Sequence, residues 1–330
     1  MPKLPFEKIK REIIVKKQAE TNPEYGCKPN KRPVKELIQY GVINIDKPKG
    51  PTSHQVSDYV QRILNIDKSG HSGTLDPAVT GILPIASGRA TRIVQTLLKA
   101  GKEYVGIMHL HKKVNEKTIN KACKEFIGKI KQLPPIKSAV KRIEREREIY
   151  YFEILEIDEK DVLFRVGCEA GTYIRKLCFD IGKKLGIGAH MAELRRTKAG
   201  PFSEDNKLVT LQDLADAYWF WKNEDNEKYI RHCIQPIEVA VSHLPKIWIM
   251  DSAVNSLCHG ADLKIPGIIK FESLIQKEEP VAVMTIKNEL IAIGITKMNS
   301  EDIKKKEKGI VVKVRKVFMK PGAYPKINQQ

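Results

Sequence analysis

At 330 residues and 42% hydrophobic content the chain is long enough for two domains and apolar enough to bury a core, which excludes a disordered polypeptide. Lys and Arg number 58 against 40 acidic residues, a net charge of +18. That excess points to a nucleic-acid partner, whereas a heat-adapted surface would explain the abundance of charge but not its sign.

Residues 1–40 are polar and basic with little periodicity apart from "REIIV" and "RPVKELIQYG", and read as an extension that docks on another part of the chain. "GVINID" is a short buried strand, "KPKGPTS" a turn with Thr52 or Ser53 as N-cap, and Val56, Tyr59, Val60, Ile63 and Leu64 form the stripe of the helix that follows. Lys47 and Lys49 stand beside a helix N-terminus, where backbone N–H groups favour a phosphate, although a solvated turn would look the same.

"GHSGTLDPAVTGILP", residues 70–84, is a poor helix, because Gly73, Gly81 and Pro84 interrupt it. Its single acid, Asp76, precedes a proline and reads locally as an N-cap or the opening of a turn. The apolar neighbours Leu75, Val79 and Ile82 make a second reading worth weighing, since a carboxylate held among them is costly unless a cation or a reaction uses it.

"TRIVQTLLKAG" is a helix ended by Gly101, and "KEYVGIMHLH" a strand with Tyr104, Gly106 and Met108 on one face. His109 and His111 share the other face, a pattern more often incidental than metal-binding. "QLPPIKSAVKRIEREREIYYF" opens on a double proline and carries dense charge, the mark of a solvated loop or of an arm for a phosphate backbone. "YYFEILEID" and "VLFRVGCEA" alternate around a turn as a hairpin, and a helix with Ile174, Leu177, Cys178, Ile181 and Leu185 inward follows. Arg175 at the mouth of that helix is the cation that Asp76 lacked, or else an ordinary surface arginine.

From about residue 248 short strands with glycine turns mark a small β-barrel. The six cysteines are scattered, without C-x-x-C or zinc-ligand spacing, so neither disulfides nor a structural metal are expected. No apolar run reaches a membrane span or the core of a signal peptide, and an intracellular protein is expected.

Taken in order, "GVINIDKPKGPTSHQV", "GHSGTLDPAVTGILP", "KEYVGIMHLH", "QLPPIKSAVK" and "GTYIRKLCFDIGKKLGIGAHMAELRRT" resemble the motifs of TruB-type pseudouridine synthases over most of residues 41–205. The N-terminal stretch and the last domain, which looks like a PUA domain, narrow the resemblance to the dyskerin-like branch, the catalytic subunit of H/ACA guide RNA particles. It implies an α+β fold, a mixed and mainly antiparallel sheet with flanking helices and a basic cleft, plus a C-terminal PUA β-barrel. The expected boundaries are 1–40 for the extension, 41–247 for the catalytic domain and 248–330 for the PUA domain and tail.

The resemblance also implies roles. Asp76 is the catalytic carboxylate, attacking either base or sugar; Arg175 pairs with it and keeps it ionised. Tyr104 stacks on the target base near the proton lost from carbon 5. Tyr173 and Leu194 line the base pocket, and Lys47 supports the loop. His71 fills the space left by the flipped nucleotide. Lys49, Lys137, Lys141, Arg142, Arg145, Arg147, Arg195 and Arg196 hold the phosphate backbone. No cofactor or metal is implied. The implied partners are guide RNA, a ribosomal RNA target, tRNA as a further substrate, and small companion proteins, with no membrane. The compartment would be the cytoplasm in an archaeon and the nucleolus in a eukaryote.

Two positions depart from the family pattern. Lys137 stands where bacterial enzymes have tyrosine, and Ala78 where the guide-dependent branch would carry lysine. A stand-alone tRNA enzyme shares the same centre, and a non-catalytic RNA-binding scaffold would make the glycine loop, tyrosine strand and arginine helix coincidental.

Overall fold

The computed structural model describes residues 2–134, 142–324 and 326. Its contacts divide the chain into two compact units. One comprises residues 2–8, 43–85 and 94–233; the other comprises 9–42, 86–93 and 234–330. The last stretch of the second unit starts at Ile234, and the extension is shared: its first residues group with the first unit and 9–42 with the second.

The first unit is built on a mixed sheet in the order Leu208–Val209, Gly41–Lys47, Thr80–Ser87, Ala189–Ala199, Lys102–Leu110, Asp161–Cys168, Arg145–Asp158, Gly128–Gln132. The Lys102–Leu110 strand runs antiparallel to both neighbours, while Thr80 and Gly81 pair in parallel with Arg195 and Arg196. Period-2 alternation sends Met108, Leu110, Val162, Phe164 and Val166 to one face, where Leu177, Cys178 and Ile181 of the helix Ile174–Lys184 cover them. On the helix Ser53–Leu64 the stripe is narrower than the sequence indicates: Val56, Val60 and Leu64 are buried, but Tyr59 is exposed. Its N-cap is Thr52, in a capping box with Gln55.

In the second unit a seven-stranded sheet is ordered Ile13–Val15, Ile268–Glu272, Lys246–Ile249, Pro280–Thr285, Leu290–Thr296, Ile310–Val317, Leu263–Lys264. The "REIIV" segment thus becomes an antiparallel edge strand, with Ile14 opposite Phe271. Glu289 accepts from the Cys27 N–H at 2.9 Å and the Tyr324 hydroxyl at 2.6 Å, and Asp251 from Thr21 and the Asn22 N–H.

All six cysteines are free, five of them buried. His109 pairs with Asp161 at 2.7 Å and His111 with His190 at 3.2 Å. Among the described residues no group of His, Cys, Asp and Glu is arranged to hold a metal, and no helix is long and apolar enough to cross a membrane.

Candidate active site

The loop that carries Asp76 is pinned from three directions. The Val79 N–H donates to the Asp76 carbonyl at 3.0 Å, closing a turn with Pro77 at its second position, which settles the local reading as a turn and not an N-cap. Ser53 Oγ accepts the Leu75 N–H at 2.8 Å and donates to the Leu75 carbonyl at 3.1 Å. From below, the buried Lys47 ammonium donates to the carbonyls of Pro48, Pro77 and Val79 at 2.8, 3.1 and 2.8 Å. Burial lowers its pKa, and the charge of Asp76 opposes that shift.

Leu75 and Val79 insert into the core on either side of the turn. They are the anchors, so the Asp76 side chain between them is lifted out and remains 52% exposed. The expectation of a carboxylate enclosed by apolar side chains is therefore corrected: consecutive residues of a tight turn point in opposite directions, and the acid takes the open one.

Arg175, in the first turn of the helix Ile174–Lys184, donates to the Asp76 carboxylate. A cation at a helix N-terminus opposes the helix dipole, and the facing carboxylate offsets that cost. Tyr173 is the N-cap of this helix without a side-chain cap. Instead Gln132, 2% exposed, accepts the Tyr173 N–H through Oε1 at 2.9 Å and donates Nε2–H to the Tyr173 carbonyl at 3.2 Å. This clamp was not foreseen. The amide at a strand end just before a double proline was its only signal.

Tyr104 lies opposite Arg196 in the strand pair, and Gly106 opposite Leu194. A Cβ at Gly106 would come within 2.7 Å of Leu194, so glycine there lets the two strands close under the pocket. Burial raises the Tyr104 phenol pKa, and the charge of the Arg196 guanidinium pulls it back. His71 packs edge-on against His54 with ring centroids 4.7 Å apart, and its buried Nδ1 has no hydrogen-bond partner. Burial, then His54 and Arg196, push its pKa down to about 4, so the ring is neutral at pH 7. Asp76, Arg175, Lys47, Tyr104, Tyr173, Leu194 and His71 all belong to the first unit.

The residues expected on a phosphate backbone divide. Lys49 and Arg142 are exposed and Arg145 half-buried, whereas Lys137 and Lys141 lie outside the described residues. Arg147 is partly withdrawn beneath Gly171 and pairs with Glu169 at 3.6 Å. Arg195 is held by Asp46 through two nitrogens at 2.9 Å each and by Glu204 at 2.6 Å, so its guanidinium is already occupied by carboxylates. Arg196 is 1% exposed and cannot reach a phosphate. The correction has a simple origin: Arg196 is two residues from Leu194 on one strand and shares its inward face.

Models of known families match in chain order. A DKCLD domain covers residues 2–57, a TruB family pseudouridylate synthase N-terminal domain 61–174, a tRNA pseudouridylate synthase B C-terminal domain 175–242, and a PUA domain 245–318. A probable tRNA pseudouridine synthase B of Pyrococcus abyssi is 60% identical over 97% of this chain and 96% of its own length. One from Methanopyrus kandleri is 56% identical over 98% and 95%. Among solved structures, a Cbf5-Nop10-Gar1 complex matches with a TM-score of 0.93 at 57% identity, covering 98% of both chains. An H/ACA RNP bound to a substrate RNA containing 2′-deoxyuridine matches with a TM-score of 0.92 at 54% identity, covering 98% of this chain and 99% of that one.

Proposed function

Since the chain belongs to the TruB family of pseudouridylate synthases, we propose that it converts uridine to pseudouridine in RNA selected by an H/ACA guide, within a particle that includes Nop10- and Gar1-like companions. The observation that carries the site assignment is the Asp76–Arg175 ion pair, displayed on a loop whose backbone is fixed by Lys47 and Ser53.

The reaction breaks the C1′–N1 bond, turns the uracil and joins its C5 to C1′, with no redox change. One carboxylate suffices, either as nucleophile or as charge stabiliser. Arg175 pairs with the Asp76 carboxylate and holds it aimed. Tyr104 and Leu194 form the pocket floor, and Gln132 holds the Tyr173 peptide at its wall. The neutral His71 suits a wedge against a flipped base, because an uncharged ring is cheaper to bury in a base stack. Lys49, Arg142 and Arg145 lie on exposed or half-exposed positions suited to backbone contact. Residues 9–42 and 234–330 form a second module, read here as the grip on the guide.

The name shared by the curated relatives favours a second reading, a guide-independent activity on tRNA. Both are tested by measuring pseudouridine formation on unmodified tRNA alone and on a ribosomal RNA target with guide and companions, using wild type and Asp76→Asn. Conversion of the ribosomal target only with the guide establishes the particle reading; conversion of free tRNA establishes the second. Asp76→Asn is expected to abolish both with RNA affinity retained, and activity in that variant would remove Asp76 from the chemistry.

A further inference from the structure

Arg196 is a buried cation with no acid to pair with: among the described residues no carboxylate lies within salt-bridge distance of it. Its Nε donates to the Ile82 carbonyl at 2.7 Å, and a terminal nitrogen donates to the Gly73 carbonyl at 3.2 Å. Across the strand pair the same residue stands directly opposite Tyr104, and its guanidinium charge bears on the phenol. One side chain thus ties the strand of Tyr104, the strand after the catalytic loop, and the loop itself. An uncompensated buried charge is expensive, and two neutral carbonyls would be equally well met by an uncharged donor. The charge therefore needs a use.

We propose that Arg196 is a positioning residue for Tyr104: it fixes the phenol oxygen beneath the target base and stabilises the negative charge that oxygen carries once its own proton has left and before it takes the C5 proton. This rests on the reading that Tyr104 handles that proton. After C1′–N1 cleavage the C5=C6 pair bonds C5 to C1′, and the electron pair left on N1 forms N1=C6. The ring is then neutral, with hydrogen and ribose both on C5. The phenol oxygen takes the C5 proton while its own proton passes through water to N1. The C5–H pair re-forms C5=C6, and the N1=C6 pair becomes the N1–H bond. If the outgoing proton leaves first, the oxygen carries transient negative charge, and a preorganised guanidinium stabilises it without reorganisation. Arg196 and Asp76 are the charged groups that bear on the phenol, together with the buried Cys168 thiol.

The test is single-turnover pseudouridine formation in the assembled particle, with uridine or 5-deuterouridine at the target, for Arg196→Lys, Tyr104→Phe and the double variant. Arg196→Lys should slow the reaction at least about tenfold at unchanged RNA affinity and enlarge the C5 deuterium isotope effect, and should cost nothing further in the Tyr104→Phe background. Additive losses, a loss without a larger isotope effect, or no loss would overturn the proposal. If Arg196→Lys fails to fold by melting, Arg196→Gln, which keeps an N–H donor and drops the charge, is read in the same way; if neither folds, Arg196 is a structural anchor and the proposal falls. A wild-type rate in Tyr104→Phe would instead remove the underlying reading of Tyr104.

Discussion

Two single residues show how burial turns ordinary side chains into fixed parts of the site. Lys47 satisfies three carbonyls, two of them in the Asp76 turn. Replacing it with methionine keeps the volume but leaves those acceptors unmet, at about 1–3 kcal/mol for a buried polar group. Lys47→Met is expected to lower thermal stability and to reduce kcat more than KM, because Asp76 loses its register while the pocket remains; a thermal melt and steady-state kinetics check both. His71 makes a pH prediction. Its pKa falls from 6.5 to about 4 on folding, so between these values the unfolded chain binds more protons than the native one. Stability therefore rises with pH through that window, and acidification from pH 6.5 toward 4 is destabilising. Urea unfolding at pH 5 and pH 7 should show the difference, and His71→Gln should diminish it.

At the scale of elements, the loop works because the strand that follows it approaches its neighbour with no side chain between them. Gly81 has a φ of +98°, and a Cβ there would stand 2.3 Å from the Arg196 carbonyl. Gly81→Ala must both strain the backbone, at roughly 1–3 kcal/mol, and push the Ala189–Ala199 strand away. The expected result is a lower melting temperature together with loss of activity; full activity at a lower melting temperature would mean that this strand contact does not transmit to the loop. The helix of Arg175 obeys the same logic. Its inward stripe was legible from 3.6-residue spacing, and the stripe is what turns Arg175 outward toward Asp76.

At the scale of the whole molecule, residues 9–42 of the extension are integral to the second unit. The strand Ile13–Val15 covers the Ile268–Glu272 edge, and Thr21, Asn22 and Cys27 engage Asp251 and Glu289. Deleting residues 9–33 should uncover that edge, leave Asp251 without its Thr21 and Asn22 donors and remove one donor from Glu289, lowering the melting temperature and promoting aggregation, as calorimetry and light scattering would register. The sequence by itself determined the strands around Tyr104 and the hairpin, the helix of Arg175, and the failure of residues 70–84 to form a helix. Each follows from local periodicity or from the glycines and proline that interrupt it. Only the tertiary structure decided that Leu75 and Val79 are core anchors, that Arg195 is taken by Asp46 and Glu204, that Gln132 clamps Tyr173, and that Arg196 is buried opposite Tyr104. Those facts depend on which residues meet across strands far apart in the chain, and a side chain's partners are set by that meeting, not by its neighbours in sequence.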